Sequence, residues 1–211
     1  MMVSRALPQP AAIAGPAGSI EAIVEDPGGA ADMYAVVCHP HPLHGGTMDN
    51  KVVTTLARGC HDGGVPTVRF NFRGVGSSEG AFDGGQGETA DAQAVAEWGA
   101  QRWSGRGLLL AGFSFGAYVA LRLAQQRPVR QLITVAPPVG RFDFTGLQAP
   151  AARWIIVQGD ADEVVDPAAV RAWAACIDPE PRLELLAGVG HFFHGRLNEL
   201  RDIVGREIRS G

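Results

Sequence analysis

Short apolar runs recur along the chain, and glycine, proline or aspartate bounds each of them. Residues 19–25 alternate between polar and apolar positions, a pattern that is typical of a half-buried strand. The later runs are mostly apolar and rich in β-branched residues or leucine, as in strands that are buried on both faces of a sheet. These runs cover residues 33–38, 65–70, 107–112, 131–136, 153–158 and 182–187.

Helical spacing of apolar residues fills the intervals between these runs. Either Asp49 or Asn50 is expected to cap the first helix, and Pro167 stands where a first-turn proline would open another. Further helical patterns cover residues 88–103, 115–126 and 193–204. Strands that alternate with helices predict an α/β fold, with a mostly parallel sheet covered by helices on both faces. We expect one domain over residues 1–211, in which residues 1–18 form a loosely ordered or edge segment.

Composition restricts the classes of protein and partner. The chain of 211 residues is 46% hydrophobic and 19% charged, with a net charge of −4 and no basic stripe. This is ordinary globular composition, and it gives no reason to expect a nucleic-acid partner. The apolar runs are only of strand length and prolines interrupt the N-terminal residues, so we expect neither a membrane span nor a signal peptide. The oligomeric state stays open.

The cysteines, Cys38, Cys60 and Cys176, are far apart and odd in number. They form no C-x-x-C pair and indicate no disulfide framework. Reduced thiols in a cytoplasmic protein are the simpler interpretation.

Residues 112–116 read Gly-Phe-Ser-Phe-Gly and lie between a predicted buried strand and a predicted helix. A G-x-S-x-G sequence in this context forms a tight turn that pushes the serine hydroxyl clear of the sheet. Side chains at Gly112 and Gly116 would collide with neighbouring backbone, and the helix N-terminus favours negative charge beside the serine. Ser114 is therefore the candidate nucleophile. At this motif the chain resembles the α/β-hydrolase superfamily.

That resemblance implies a triad in the chain order serine, acid, histidine. The acid loop of the superfamily commonly reads G-x-x-D-x-x-V, and in residues 159–165 this register selects Asp162. Asp160 stays open as the alternative acid, although it also suits a turn residue that binds nearby backbone amides. Asp166, directly before Pro167, is interpreted as a helix cap.

The candidate histidine follows the last predicted strand. His191 lies in residues 188–193, which resemble the G-x-x-H-F-F loop of small superfamily members. His194 is the alternative, expected on the first turn of the final helix as a surface residue. In this scheme His191 removes the Ser114 proton and Asp162 fixes the imidazole tautomer.

The loop after the strand at residues 33–38 is the second place where the superfamily resemblance implies chemistry. In α/β-hydrolases this loop and the residue after the nucleophile supply the backbone N–H donors of the oxyanion hole. Phe115 is then one donor. Proline has no N–H, which leaves His41 or Leu43 for the other, and alignment with the H-G-x-P form of the family selects His41.

Two segments also have to be considered as a metal site or a cofactor site. His39, His41 and His44 are clustered, but only Asp49 is a close carboxylate and no familiar metal-ligand spacing results. Residues 70–80 miss the dinucleotide-binding glycine spacing by one residue, and no helix opens on them. We therefore expect neither metal nor cofactor. Arg73 in that segment is predicted to pair with a carboxylate, and His39 and His44 to hydrogen-bond neighbouring backbone.

Five ordered motifs resemble a group of small bacterial α/β-hydrolases, generally regarded as esterases, near the dienelactone hydrolases. They occupy residues 38–53, 70–80, 112–117, 158–165 and 190–195. Dienelactone hydrolases use a cysteine nucleophile where this chain has Ser114. Most esterases insert a helical lid between the strands at 131–136 and 153–158, an interval that here holds only residues 137–152. The chain is therefore expected to lack a lid.

The resemblance implies a serine esterase that acts on small or short-acyl esters through an acyl-enzyme. Thioester hydrolysis or acyl transfer by the same residues is the alternative, and a non-catalytic binding protein on the same fold is another. A dehalogenase or epoxide hydrolase would need aspartate at position 114. Candidate pocket residues, for each of which ordinary core packing is an equal expectation, are Leu43, Phe142, Phe144, Val164 and Phe192.

Overall fold

A computed structural model describes residues 7–210, so the first six residues of the predicted edge segment lie outside the described residues. These described residues form one eight-stranded sheet. Its strands are β1 (Gln9–Gly15), β2 (Gly18–Glu25), β3 (Met33–Cys38), β4 (Thr67–Phe70), β5 (Gly107–Phe113), β6 (Gln131–Val135), β7 (Arg153–Gly159) and β8 (Arg182–Leu186).

The strand order is β1-β2-β4-β3-β5-β6-β7-β8. From β4 to β8 every neighbouring pair is parallel, whereas β1 and β2 form an antiparallel hairpin that joins β4 in an antiparallel pair. The predicted mostly parallel sheet is confirmed. Within the predicted N-terminal segment, Gln9–Gly15 forms the edge strand.

Helices cover both faces of the sheet, as predicted. They are α1 (Lys51–Asp62), α2 (Gln86–Arg102), α3 (Phe115–Ala124), α4 (Pro167–Ala174) and α5 (Leu197–Arg209). The buried apolar side chains of α2, α3 and α4 pack into one hydrophobic layer, and those of α1 and α5 into a second layer on the opposite face. Asn50, rather than Asp49, caps α1 by accepting a hydrogen bond from the Val52 backbone N–H at 2.9 Å.

The final helix begins later than the sequence pattern indicates. Phe193 has the apolar spacing of α5, but its φ of +54° belongs to the left-handed region and the helix starts only at Leu197. The prediction that His194 lies on the first turn of this helix is wrong, because the loop turns back at Phe193 to bury that ring. His194 is exposed, as expected.

The carboxyl ends of the parallel strands meet at one edge of the sheet, where ligands bind in open α/β folds. The loops after β3, β5, β7 and β8 carry His41, Ser114, Asp162 and His191 to this edge. No helix lies in residues 136–152 between β6 and β7, so the expectation of a lidless fold is confirmed. Among the described residues, no helix is both long and apolar enough to cross a membrane.

Candidate active site

Ser114 occupies a strained turn between β5 and α3. Its φ and ψ are +53° and −119°, a conformation that side-chain-bearing residues rarely adopt. The turn closes because glycines flank it: a Cβ on Gly112 would lie 2.1 Å from the Gly116 carbonyl oxygen. The Ser114 backbone N–H donates to the Val135 carbonyl oxygen at 2.8 Å, which ties the turn to β6. The serine is therefore held half-buried at the N-terminus of α3.

Gly116→Ala should destabilise the protein because the new Cβ would lie 2.3 Å from the backbone oxygen of Cys38 and 2.6 Å from that of His39. Backbone cannot yield as a flexible side chain does, so we expect a loss of about 3 kcal/mol in the free energy of unfolding, measured in urea. Gly205→Ala in α5 is the matched control, since the atoms nearest to its Cβ belong to the flexible Arg209 guanidinium, at 3.2 Å. That control should be neutral or stabilising; equal losses in both variants would contradict the steric account.

His191 and Asp162 complete a hydrogen-bonded chain that begins at Ser114. The Ser114 Oγ lies 3.2 Å from His191 Nε2, and His191 Nδ1 lies 2.8 Å from Asp162 Oδ2. Because an ionised carboxylate only accepts hydrogen bonds, His191 carries its proton on Nδ1 and turns the Nε2 lone pair toward the serine hydroxyl. The side chains of both His191 and Asp162 are buried. The arrangement can take a proton from Ser114 as its oxygen attacks a carbonyl carbon.

The Asp162 carboxylate is held in its charged form. Burial disfavours that form, but hydrogen bonds from His191 and from the backbone N–H groups of Val165 and Val164 outweigh burial and hold the pKa of Asp162 below its ordinary value. Both of these N–H groups donate to Asp162 Oδ1 at 2.8 Å. Gln158 Nε2 adds a further donor to Oδ2 at 2.9 Å. The carboxylate thus stays ionised beside the imidazole.

The alternative acid and histidine lie elsewhere. Asp160 Oδ1 accepts a hydrogen bond from the Gly188 backbone N–H at 2.6 Å, whereas the carboxylate bonded to His191 is that of Asp162. His194 contacts the Phe192 ring, with 5.9 Å between centroids, and is not hydrogen-bonded to Ser114. Asp166 caps α4 through the Ala168 backbone N–H at 2.9 Å, as predicted.

Two of the three backbone N–H groups considered as oxyanion donors have no protein partner in the part of the chain that the structure describes. Within residues 7–210, neither the Phe115 N–H nor the His41 N–H donates a hydrogen bond to another protein group. The N–H of Leu43, the alternative donor, is occupied because it donates to His41 Nδ1 at 3.2 Å. The N–H groups of Phe115 and His41 are therefore unoccupied, and that of Leu43 is not.

His39 fastens the loop after β3 to the loop after β4. Its Nε2 accepts the Phe72 backbone N–H at 3.0 Å, so its Nδ1 carries the proton and donates to the Pro40 carbonyl oxygen at 2.6 Å. Both ring nitrogens are engaged with backbone, as predicted, and neither is available to a metal ion. Among the described residues, no group of three or more histidine, cysteine, aspartate or glutamate side chains is arranged to hold one.

His39 should make stability depend on pH. Burial lowers the pKa of His39 to about 4, from its ordinary value of 6.5. As the pH falls, His39 is protonated in the unfolded chain near pH 6.5 but in the folded protein only near pH 4, so acid favours the unfolded chain. The contribution of neutral His39 to the free energy of unfolding is therefore complete above about pH 6.5 and is lost as the pH falls through about 4. The loss should amount to about 3 kcal/mol.

The measurement is the free energy of unfolding of wild type and His39→Gln at several pH values. Glutamine does not titrate, whereas Asp162 and other acidic groups titrate in both proteins and cancel in the difference. A difference between the two proteins that did not change with pH would contradict the assignment to His39.

Aromatic and apolar side chains surround the site unevenly. Leu43 and Phe192 are exposed, at 69% and 42%, while Phe142 and Val164 are half-buried. The Phe142 ring belongs to an aromatic patch that also contains His41, Phe82 and Phe115, with centroids 4.8–5.8 Å apart. Phe144, in contrast, is buried between Tyr118 and Trp173 as part of the core.

Sequence reasoning missed two side chains that hold the site. Gln158 contacts Asp162, and Glu163 Oε2 accepts the His191 backbone N–H at 3.2 Å. The available signal was the glutamine itself, a polar residue that follows four apolar residues of β7 and lies next to the acid loop. Arg73 forms the predicted ion pair, with Asp91 as its partner at 2.7 Å.

Comparison with known proteins decides the family. The sequence pattern described as X-Pro dipeptidyl-peptidase (S15 family) matches residues 26–150, more than half of the chain. The chain belongs to this S15 family. An uncharacterised protein of Rickettsia prowazekii is 35% identical to this S15-family member. The match covers 90% of the present chain and 84% of the Rickettsia protein.

Solved structures give the same fold. An alpha-beta serine hydrolase homologue from Coxiella burnetii is 47% identical, with a TM-score of 0.91, and the match covers 98% of both chains. A serine hydrolase without lid from Xanthomonas campestris is 45% identical, with a TM-score of 0.92 over 96% of this chain and 94% of its own. This S15-family member is therefore an α/β-hydrolase of the lidless kind.

Proposed function

We propose that this S15-family member is a serine esterase that hydrolyses small, soluble carboxylic esters through an acyl-enzyme on Ser114. The observation that carries the proposal is the continuous hydrogen-bonded chain from Ser114 Oγ through His191 to the buried Asp162 carboxylate, with distances of 3.2 Å and 2.8 Å. A serine hydroxyl is a weak nucleophile unless a base receives its proton, and this chain supplies the base.

The reaction follows from the positions of the protons. His191 Nε2 takes the proton of Ser114 as the serine oxygen bonds to the ester carbonyl carbon. The protonated imidazole, stabilised by Asp162, then gives that proton to the departing alkoxide, and the alcohol leaves. Water attacks the acyl-enzyme with His191 again as the base, which releases the acid and restores the serine hydroxyl.

The carbonyl oxygen gains negative charge in both steps. The free N–H groups of Phe115 and His41 are the donors that we assign to it, and the N-terminus of α3 adds a favourable dipole. Each such donor typically contributes about 3 kcal/mol to the stabilisation of the transition state. No metal or cofactor is needed for any step of this scheme.

The open setting supports small substrates. The segment between β6 and β7 has no helix that could cover the site, and the candidate pocket residues Leu43 and Phe192 are exposed rather than enclosed. Apolar side chains that remain in contact with water bury little of a long acyl chain, so they add little binding energy for each additional methylene. The aromatic patch around Phe142 offers an apolar wall for a short acyl or alcohol group.

We expect kcat/KM to be highest for p-nitrophenyl esters of short acids and to fall with acyl length, with no increase in activity at a lipid–water interface. The measurement is kcat/KM over an acyl-length series, together with hydrolysis of emulsified long-chain triglyceride. Faster hydrolysis of the emulsion than of a short soluble ester would contradict the proposed substrate class.

A peptide or thioester substrate is the second candidate, because the family is described by its X-Pro dipeptidyl-peptidases. The same serine, base and donors can attack an amide or thioester carbonyl. Assays with Gly-Pro-p-nitroanilide, a short acyl thioester and p-nitrophenyl acetate distinguish peptidase, thioesterase and esterase activity. A larger kcat/KM for the anilide would replace the esterase assignment with a peptidase, and a larger one for the thioester would replace it with a thioesterase.

A further inference from the structure

Gln158 is buried near the end of β7, a strand in which the other buried side chains are apolar. Its amide nitrogen donates to Asp162 Oδ2 at 2.9 Å and to the Gly159 carbonyl oxygen at 3.1 Å. Both partners are acceptors, so the amide nitrogen, and not the oxygen, must face Asp162. Gln158 therefore binds the same carboxylate oxygen that receives the proton of His191 Nδ1.

The other end of this amide is unsatisfied. Gln158 Oε1 is buried and has no hydrogen-bond partner among residues 7–210. An unpartnered buried acceptor destabilises the folded state, and an apolar side chain of similar length would avoid that cost. Packing does not account for a glutamine at this position, whereas a donor aimed at Asp162 does.

We propose that Gln158 is a positioning residue that shares the negative charge of the Asp162 carboxylate and thereby sets the pH range in which His191 activates Ser114. This inference rests on the proposed function. The Gln158 N–H disperses part of the negative charge that would otherwise act on His191 alone. Without this donor, the carboxylate would hold the protonated imidazole more tightly, and the acidic limb of the rate profile would move to higher pH.

Other titratable groups contact the loop that carries His191 or belong to it. The Glu163 carboxylate accepts the His191 backbone N–H at 3.2 Å, Asp160 binds the Gly188 N–H at 2.6 Å, and His194 lies against the Phe192 ring. None of these groups is hydrogen-bonded to Gln158 within the part of the chain that the structure describes. A substitution at Gln158 therefore leaves their contacts with the histidine loop in place.

Gln158→Met tests the proposal, because methionine keeps the length of the side chain and removes both the donor and the orphaned acceptor. The readouts are the rate at which a fluorophosphonate labels Ser114 and kcat/KM for p-nitrophenyl acetate, each as a function of pH, and the free energy of unfolding. At pH values below the wild-type acidic limb we expect both rates to fall about threefold, because more of His191 is protonated there, and at the pH plateau we expect them to be unchanged or higher. The acidic limb should move up by about half a pH unit, with stability unchanged or increased.

Gln131→Met is the matched control. Gln131 is also a buried glutamine, but it is the first residue of β6 and lies at the amino end of the parallel strands, away from the site. There it accepts a hydrogen bond from Arg153 at 3.1 Å. This variant should keep the wild-type rates and the wild-type acidic limb.

A Gln158→Met protein with wild-type rates and an unmoved limb would overturn the positioning role, and so would a protein that lost stability without a shift of the limb. Failure of the proposed function is distinguishable, because the fluorophosphonate would then not label Ser114 in the wild-type protein.

Discussion

Replacing Ser114 with alanine should lower kcat for p-nitrophenyl acetate by about four orders of magnitude or more, to the residual rate that binding and backbone donors alone support. The variant loses the atom that bonds to the carbonyl carbon, while His191, Asp162 and the free N–H groups stay in place. Alanine has the same backbone restrictions as serine at a φ of +53°, so the turn should still fold.

The matched control is Ser104→Ala, which removes a hydroxyl from an exposed turn after α2. It should retain wild-type kcat and KM, and both variants should unfold at wild-type urea concentrations. Turnover in Ser114→Ala within tenfold of wild type would remove Ser114 from the mechanism, as long as the unfolding curves agree.

Asp162→Asn should lower kcat by about four orders of magnitude because it reverses the tautomer of His191. The backbone N–H groups of Val164 and Val165 both bind Oδ1, each at 2.8 Å, so an asparagine would keep its carbonyl oxygen there. Its amide nitrogen would then take the place of Oδ2 and donate to His191 Nδ1. The imidazole proton would move to Nε2, which could no longer accept the proton of Ser114.

Asp160→Asn separates the two candidate acids. Asparagine can still accept the Gly188 N–H that Asp160 binds at 2.6 Å, so this variant should keep most of its activity. The kinetic constants of both variants, measured at neutral pH, decide between the two. Loss of activity in Asp160→Asn, together with an active Asp162→Asn, would exchange their roles.

Much of the fold could be predicted because short stretches of sequence indicate the same elements that the structure contains. The buried strands stand out as apolar runs, and the turn at Ser114 needs glycines at fixed positions whatever the rest of the chain does. The start of α5 could not be predicted, since Phe193 fits the apolar spacing of the helix but is buried through a left-handed turn that the pattern does not encode.

The candidate site, too, could be predicted only in part. The register of the acid loop points to Asp162, but only three-dimensional contacts distinguish it from Asp160, because each aspartate is held by backbone N–H groups. Likewise, the sequence leaves His41 and Leu43 open as donors. The structure separates them through the His41 imidazole, which occupies the Leu43 N–H. The contact of Gln158 could not be predicted from the sequence, because it depends on how the loop after β7 folds back and brings the Asp162 carboxylate to the Gln158 amide.

The most direct test of the central claim is to treat the folded protein with a fluorophosphonate, which bonds covalently to activated serines, and to map the adduct by mass spectrometry. The account predicts one adduct, on Ser114, formed in step with the loss of esterase activity and absent from Ser114→Ala. It also predicts much slower labelling in Asp162→Asn. Inactivation with the adduct on another residue, or labelling of Ser114→Ala at the wild-type rate, would contradict it.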